Sequence, residues 1–126
     1  MSRSRALLGA RALGLGRVAI GAMLLVAPAR AGRPWLGDVA DAPGGVVALR
    51  ALGIRDLILG AIALHTADHP QVGPRWQRTL AIADGVDFAA TLAARSSLPA
   101  RGSALVLAMA AAGSIGSVVL GHALGR

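Results

Sequence analysis

The chain contains no Lys, no Glu, no Asn, no Tyr and no Cys. Each absence closes a possibility. Without Cys there is no disulfide, no thiolate metal site and no thiol nucleophile. Without Lys there is no phosphate-binding P-loop. Aromatic residues are nearly missing too: Phe88 stands alone beside Trp35 and Trp76. No stacking platform for bases can be assembled from these, so the net charge of +7 does not read as nucleic-acid binding. Every basic residue is Arg and every acidic one is Asp. Lys, Asn and Tyr have AT-rich codons, and their absence points to a high-GC bacterial genome.

What remains is apolar. The 126 residues suffice for one domain, and 55% of them are hydrophobic while 15% are charged. Soluble domains carry about 25% charged residues. The mean hydropathy is +0.62. The apolar residues fall in four blocks, at 12–29, 46–64, 79–94 and 103–124. A spanning helix takes roughly 17–25 residues; the first, second and fourth blocks reach that length and the third is short. Pro28, Gly44-Gly45, Pro70, Pro74 and Pro99 punctuate the joints, as helix breakers do. Trp35 follows the first block and Trp76 precedes the third, where an interfacial aromatic belt would put them. The expected fold is a single all-α domain, a four-helix transmembrane bundle.

Four spans put the N-terminus, the 65–78 loop and the C-terminus on one side, with Arg3, Arg5, Arg11, Arg75, Arg78 and Arg126. The other side holds Arg30, Arg33, Arg95 and Arg101. The positive-inside rule then favours a bacterial plasma membrane protein with both termini in the cytoplasm. The first block has a rival reading. A basic start, the run VAIGAMLLVA and Ala-Arg-Ala at 29–31 also fit a cleaved secretory leader.

The informative residues are the charges inside the blocks. The 46–64 block holds ten Val, Leu or Ile residues, which favour insertion by on the order of 5 kcal/mol, while a central Arg and Asp cost about 2.5–3.5 kcal/mol each. Such a helix inserts marginally alone, so its charges call for partners inside a bundle. Arg17, Arg50 and Arg55 are positive and Asp56, Asp84 and Asp87 negative, which makes a formally neutral intramembrane polar network. Asp84 and Asp87 are three apart and share a helix face, with Leu80 and Thr91 extending it. Depth pairs Arg55 with Asp87 near the midplane, Asp56 sharing that layer, and Arg17 with Asp84 one or two turns nearer the cytoplasm. Arg50, near the outer end, is placed to snorkel. A register-fixing ion-pair network and a polar site for a proton, ion or small ligand are both open readings.

Gly53 and Gly60 lie within about 60° of Asp56 on a helix, a small-residue stripe that lets another helix approach. Gly113 and Gly121 mark the fourth block as a packing helix, within the chain or in a homo-oligomer. His65 and His69 are four apart, a spacing that can hold a metal, but Pro70 ends the helix there and two interfacial histidines are the commoner reading. No cofactor fingerprint fits.

The stretches GRVAIGAMLLVAP, WLGD, ALRALGIRDLILG and ADGVDFAATLAA resemble small actinobacterial four-helix integral membrane proteins, the group of domain of unknown function 4267. Gly53-x-Arg55-Asp56 and Asp84-x-x-Asp87 carry the likeness, which runs from about residue 16 to 94. It implies four helices in a membrane and no assigned activity. The sequence thus leads to a small non-enzymatic membrane protein, accessory or structural, with the bilayer and a second copy or another membrane protein as partners. The alternative is a proton- or ion-coupled transporter subunit using the Arg55/Asp56/Asp87 layer. An enzyme acting on lipid or quinone comes last, since no nucleophile or metal set supports it.

Overall fold

A computed structural model describes all 126 residues. It is all-helical, without a strand: α1 (Arg3–Val26), α2 (Pro28–Leu36), α3 (Pro43–Thr66), α4 (Val72–Ala94) and α5 (Ala100–Leu124), with 3-10 turns at Gly37–Asp41 and Arg95–Ser97. Four helices are long and one is short. The short α2 departs from the four-helix expectation. It forms because Pro28 supplies its first position, where the missing N–H costs nothing. Its Ala31, Trp35 and Leu36 then cover a core of Leu24, Ala40 and Leu49.

The long helices also outrun the apolar blocks. Ser2 caps α1 by accepting the Arg5 N–H at 3.4 Å, so the helix begins nine residues before the 12–29 block. It ends at Val26, because Pro28 starts a new helix in another direction. Pro74 does not break the chain. It sits in the first turn of α4, where backbone N–H groups have no intrahelical acceptor. His69 Nδ1 accepts the N–H groups of Gln71 and Val72 at 3.4 and 3.2 Å, taking the place of a cap on α4.

The helices associate as two pairs. In the first, α1 crosses α3 with glycine against glycine: a Cβ on Gly21 would lie 2.5 Å from the Gly53 carbonyl oxygen, and one on Gly60 would lie 2.7 Å from that of Gly14. In the second, α4 packs on the small-residue face of α5. A Cβ on Gly121 would lie 3.2 Å from the Gln77 Cβ, and Ser114 Oγ donates to the Ala81 carbonyl at 2.9 Å. Small residues let backbones approach in this way.

The pairs meet in two places. At one end Ala6 and Ala10 of α1 pack on Leu120 and Leu124 of α5. That end also gathers both termini and the 67–71 turn, with Arg3 donating to the Leu124 and Asp68 carbonyls and Arg11 paired with Asp68 at 2.6 Å. Halfway along, they meet through charged side chains. At the far end α2 lies between α1 and α5.

Large aliphatic side chains lie outside as well as inside, and part of the interior is polar. Only 28 of 126 residues are buried, and Asp56, Gln77, Asp84, Thr91, Ser103 and Ser117 are among them. Leu15, Ile58, Val86 and Ile115 point outward from the four long helices.

Candidate functional site: a charged layer beneath an apolar cavity

Five of the six charges singled out in the blocks come together. Arg55 of α3 grips Asp87 of α4 with both terminal nitrogens, at 3.0 and 2.5 Å. This is the two-pronged geometry that suits guanidinium and carboxylate. Arg55 also reaches Asp56 Oδ1 at 3.2 Å. Adjacent helical residues project about 100° apart, so this bond is secondary. Asp56 Oδ1 receives a second guanidinium, Arg17 of α1, at 3.2 Å. Arg17 pairs in turn with Asp84 of α4 and donates to the Leu80 carbonyl at 3.4 Å. The result is one unbroken chain of charges: Asp87, Arg55, Asp56, Arg17, Asp84.

Two features differ from the sequence reading. Arg17 and Asp84 pair within the same layer as Asp56, not one or two turns away from it. Because α1 starts at Arg3 and α4 at Val72, both residues lie in the middle portions of their helices, and Arg17 bridges both carboxylates. Arg50 is not in the network. It lies seven residues into α3, is exposed, and donates Nε to the Leu25 carbonyl at 3.4 Å near the end of α1. Its chain direction follows its position, since about 10 Å from the helix end a long side chain reaches outward. The network is therefore not neutral. Three carboxylates face two guanidiniums, a surplus of one negative charge.

Gly113 makes room for this layer. A Cβ there would meet Asp84 Oδ2 at 2.5 Å. That oxygen is buried and has no hydrogen-bond partner, although the other carboxylate oxygen of Asp84 binds Arg17. Gln77, Asp84 and Thr91 follow one another at intervals of seven along the α4 seam, and Gln77 Oε1 and Thr91 Oγ1 are also buried without partners. Sequence reading caught Thr91 and missed Gln77. The seven-residue spacing of polar side chains in an apolar helix was the signal that marks it.

Above the layer lies a cavity of about 600 Å3, within the 300–1,000 Å3 range of small-molecule sites. It exists because α1 and α5 touch at Ala6, Ala10, Leu120 and Leu124 and then diverge. The wedge between them is closed at the far end by Pro34 and Trp35 of α2 and floored by Arg17, Asp56, Asp84 and Asp87. Its walls are apolar, with Ile20 and Met23 from α1 and Leu105 and Met109 from α5. Met23, Leu105 and Met109 are also exposed, so the wedge opens sideways between α1 and α5. Trp35 lines this space, with its indole Nε1 buried and unpartnered.

The other singled-out residues have structural places. Gly53, Gly60 and Gly121 lie at the helix contacts described above. His65 is exposed on α3, and His69 is engaged by the backbone of the turn into α4. Neither faces the charged layer. No family model matches the chain, and no curated protein or solved structure matches it either.

Proposed function

We propose that this chain is a non-enzymatic, multi-pass protein of a bacterial plasma membrane, with α1, α3, α4 and α5 as its spans and the Arg/Asp layer as the element that holds the two helix pairs in register. The observation that carries the reading is the placement of two kinds of side chain: large aliphatic ones outside on every long helix, and a layer of carboxylates and guanidiniums paired between the helices. In water this arrangement would expose apolar surface on all sides of a small protein, which soluble monomers avoid. In a bilayer it is favourable, since charges there face the bundle interior and pair with one another.

Length and composition agree. The long helices have 23 to 25 residues, about 35–38 Å at 1.5 Å per residue, against a hydrocarbon thickness of about 30 Å. Hydropathy alone qualifies α1 and α5 as spans. The charges of α3 and α4 lower theirs, and those same charges are mutually paired in the fold. The excess of Arg at the end holding both termini supports a cytoplasmic location for them. The test is fractionation. The full-length chain should sediment with membranes and resist extraction at alkaline pH; release into the soluble fraction would reject the proposal.

A second reading, a subunit of a proton- or ion-coupled carrier, is favoured by one observation: the cavity reaches the charged layer instead of stopping at an apolar floor. Solvent accessibility separates the two. A layer sealed from water fits a structural role, and a layer reached by water from one membrane face fits a carrier.

A further inference from the structure

We infer that the wedge between α1 and α5 is a binding site for an amphiphilic monocation, a ligand with one positively charged head and a compact apolar body. The inference rests on the membrane reading above and goes further, to the chemistry of what the cavity takes.

Charge is the first argument. The layer holds three carboxylates and two guanidiniums, and of these Asp56, Asp84, Asp87 and Arg17 line the cavity while Arg55 does not. The cavity floor thus presents three negative groups and one positive. Arg50, the cation that would have balanced the layer, points away from it. A single positive charge entering the wedge brings the layer to three against three. An anion would meet uncompensated carboxylates in a low-dielectric setting, where like charges repel most strongly.

The second argument is a vacancy in the hydrogen-bonding of Asp84. The residue is 8% exposed, and its Oδ2 accepts from nothing. A buried carboxylate oxygen without a donor is costly; this one is closed off against Gly113, so a cation in the wedge offsets that cost through its charge and not through a hydrogen bond. The third argument is shape. Leu105, Met109 and Trp35 offer an apolar enclosure beside the charges. Methionine adapts to bodies of varied outline, and an indole face attracts cations. The sideways opening between α1 and α5 admits a ligand already dissolved in the bilayer.

The experiment uses the full-length protein in a neutral maltoside detergent, with tetraphenylphosphonium as the probe and tetraphenylborate, of similar size and opposite charge, as its control. In a Trp76→Phe background, fluorescence reports Trp35 alone. Tetraphenylphosphonium should change that signal saturably, and tetraphenylborate should neither change it nor compete. Asp84→Asn should weaken the cation's binding by about tenfold, because it removes one of the three negative charges on the cavity floor. Because Asp84→Asn can also unsettle the fold, Val106→Phe provides a second arm that adds no indole to the readout. It fills the cavity wall, leaves every charge in place, and should abolish binding in a protein that still melts cooperatively. Equal responses to both ions, or binding that survives Val106→Phe, would show simple partition into the micelle and overturn the inference. So would a folded protein that ignores the cation, the outcome expected if a proton alone occupies Asp84. If instead the chain proves not to be membrane-embedded, fractionation reports that separately, and the membrane reading fails on its own result.

Discussion

The guanidinium of Arg17 on α1 pairs with the carboxylate of Asp84 on α4, and this contact joins one helix pair to the other. Both side chains are nearly enclosed, at 11% and 12% exposure. The same guanidinium holds Asp56 of α3, so one residue ties three helices. Exposed ion pairs such as Arg11–Asp68 and Arg33–Asp41 contribute little by comparison. Loss of one member of an enclosed pair leaves the other uncompensated, at a cost of about 3–5 kcal/mol.

Arg17→Leu is therefore expected to lower stability by about 3 kcal/mol or more, because it strands Asp84 and leaves Asp56 with Arg55 alone. Arg50→Leu should change stability by no more than about 0.5 kcal/mol, as surface changes usually do, since Arg50 bonds only a carbonyl and is exposed. Thermal melts of the two variants in detergent, beside the parent, measure the contrast. Similar losses for both would mean that Arg50 belongs to the network after all.

Much of this layer is legible in the sequence, and what is not has a physical cause. The type and approximate depth of Arg55, Asp56 and Asp87 suffice to bring them together, because charges in apolar helices have few places to go. The position of Arg17 is harder. Hydropathy marks where the chain is apolar, whereas capping marks where a helix begins. Ser2 starts α1 well before its apolar block, and that shift moves Arg17 from near one end to the middle. The short α2 is hidden for a related reason: two prolines and two arginines in PARAGRPWL read as a polar joint, yet Pro28 opens a helix and Pro34 is tolerated within it. The cavity is not legible at all. It depends on α1 and α5 diverging, a relation between residues far apart in sequence.

The glycine contacts give a second test. Leu at Gly53 or Gly60 would collide with the α1 backbone, where even a Cβ would lie 2.8 or 2.7 Å from a carbonyl oxygen. Overpacking of this kind costs about 1–3 kcal/mol, and here it also pushes α1 away from Asp56. Gly16→Leu is the control, because nothing lies within 4 Å of a Cβ there. Melting temperatures should fall for Gly53→Leu and Gly60→Leu and hold for Gly16→Leu. Parent-like melts for the first two would place the α1–α3 contact elsewhere.

Topology is tested by reporters. Residue 40 lies in the turn after α2, and residue 72 at the start of α4, with α3 between them. Fusions that report location should place the two sites on opposite sides of the membrane, with residue 72 cytoplasmic by the positive-inside rule. The same compartment for both would mean that α3 does not cross, and the four-span arrangement would fall.

The pairing of Arg55 with Asp87 can be tested by exchange. Either single change, Arg55→Asp or Asp87→Arg, puts like charges face to face across α3 and α4, and folded yield should drop sharply. Arg55→Asp together with Asp87→Arg restores one cation and one anion at the same depth. Recovery should be partial, because Arg55 also serves Asp56 at 3.2 Å and the exchanged aspartate would repel that neighbour. The coupling between the two positions is the double-mutant yield set against the product of the singles. A double mutant no better than that product would show that the two side chains do not act on one another, and the two-pronged contact at 3.0 and 2.5 Å would carry no weight in holding α3 to α4.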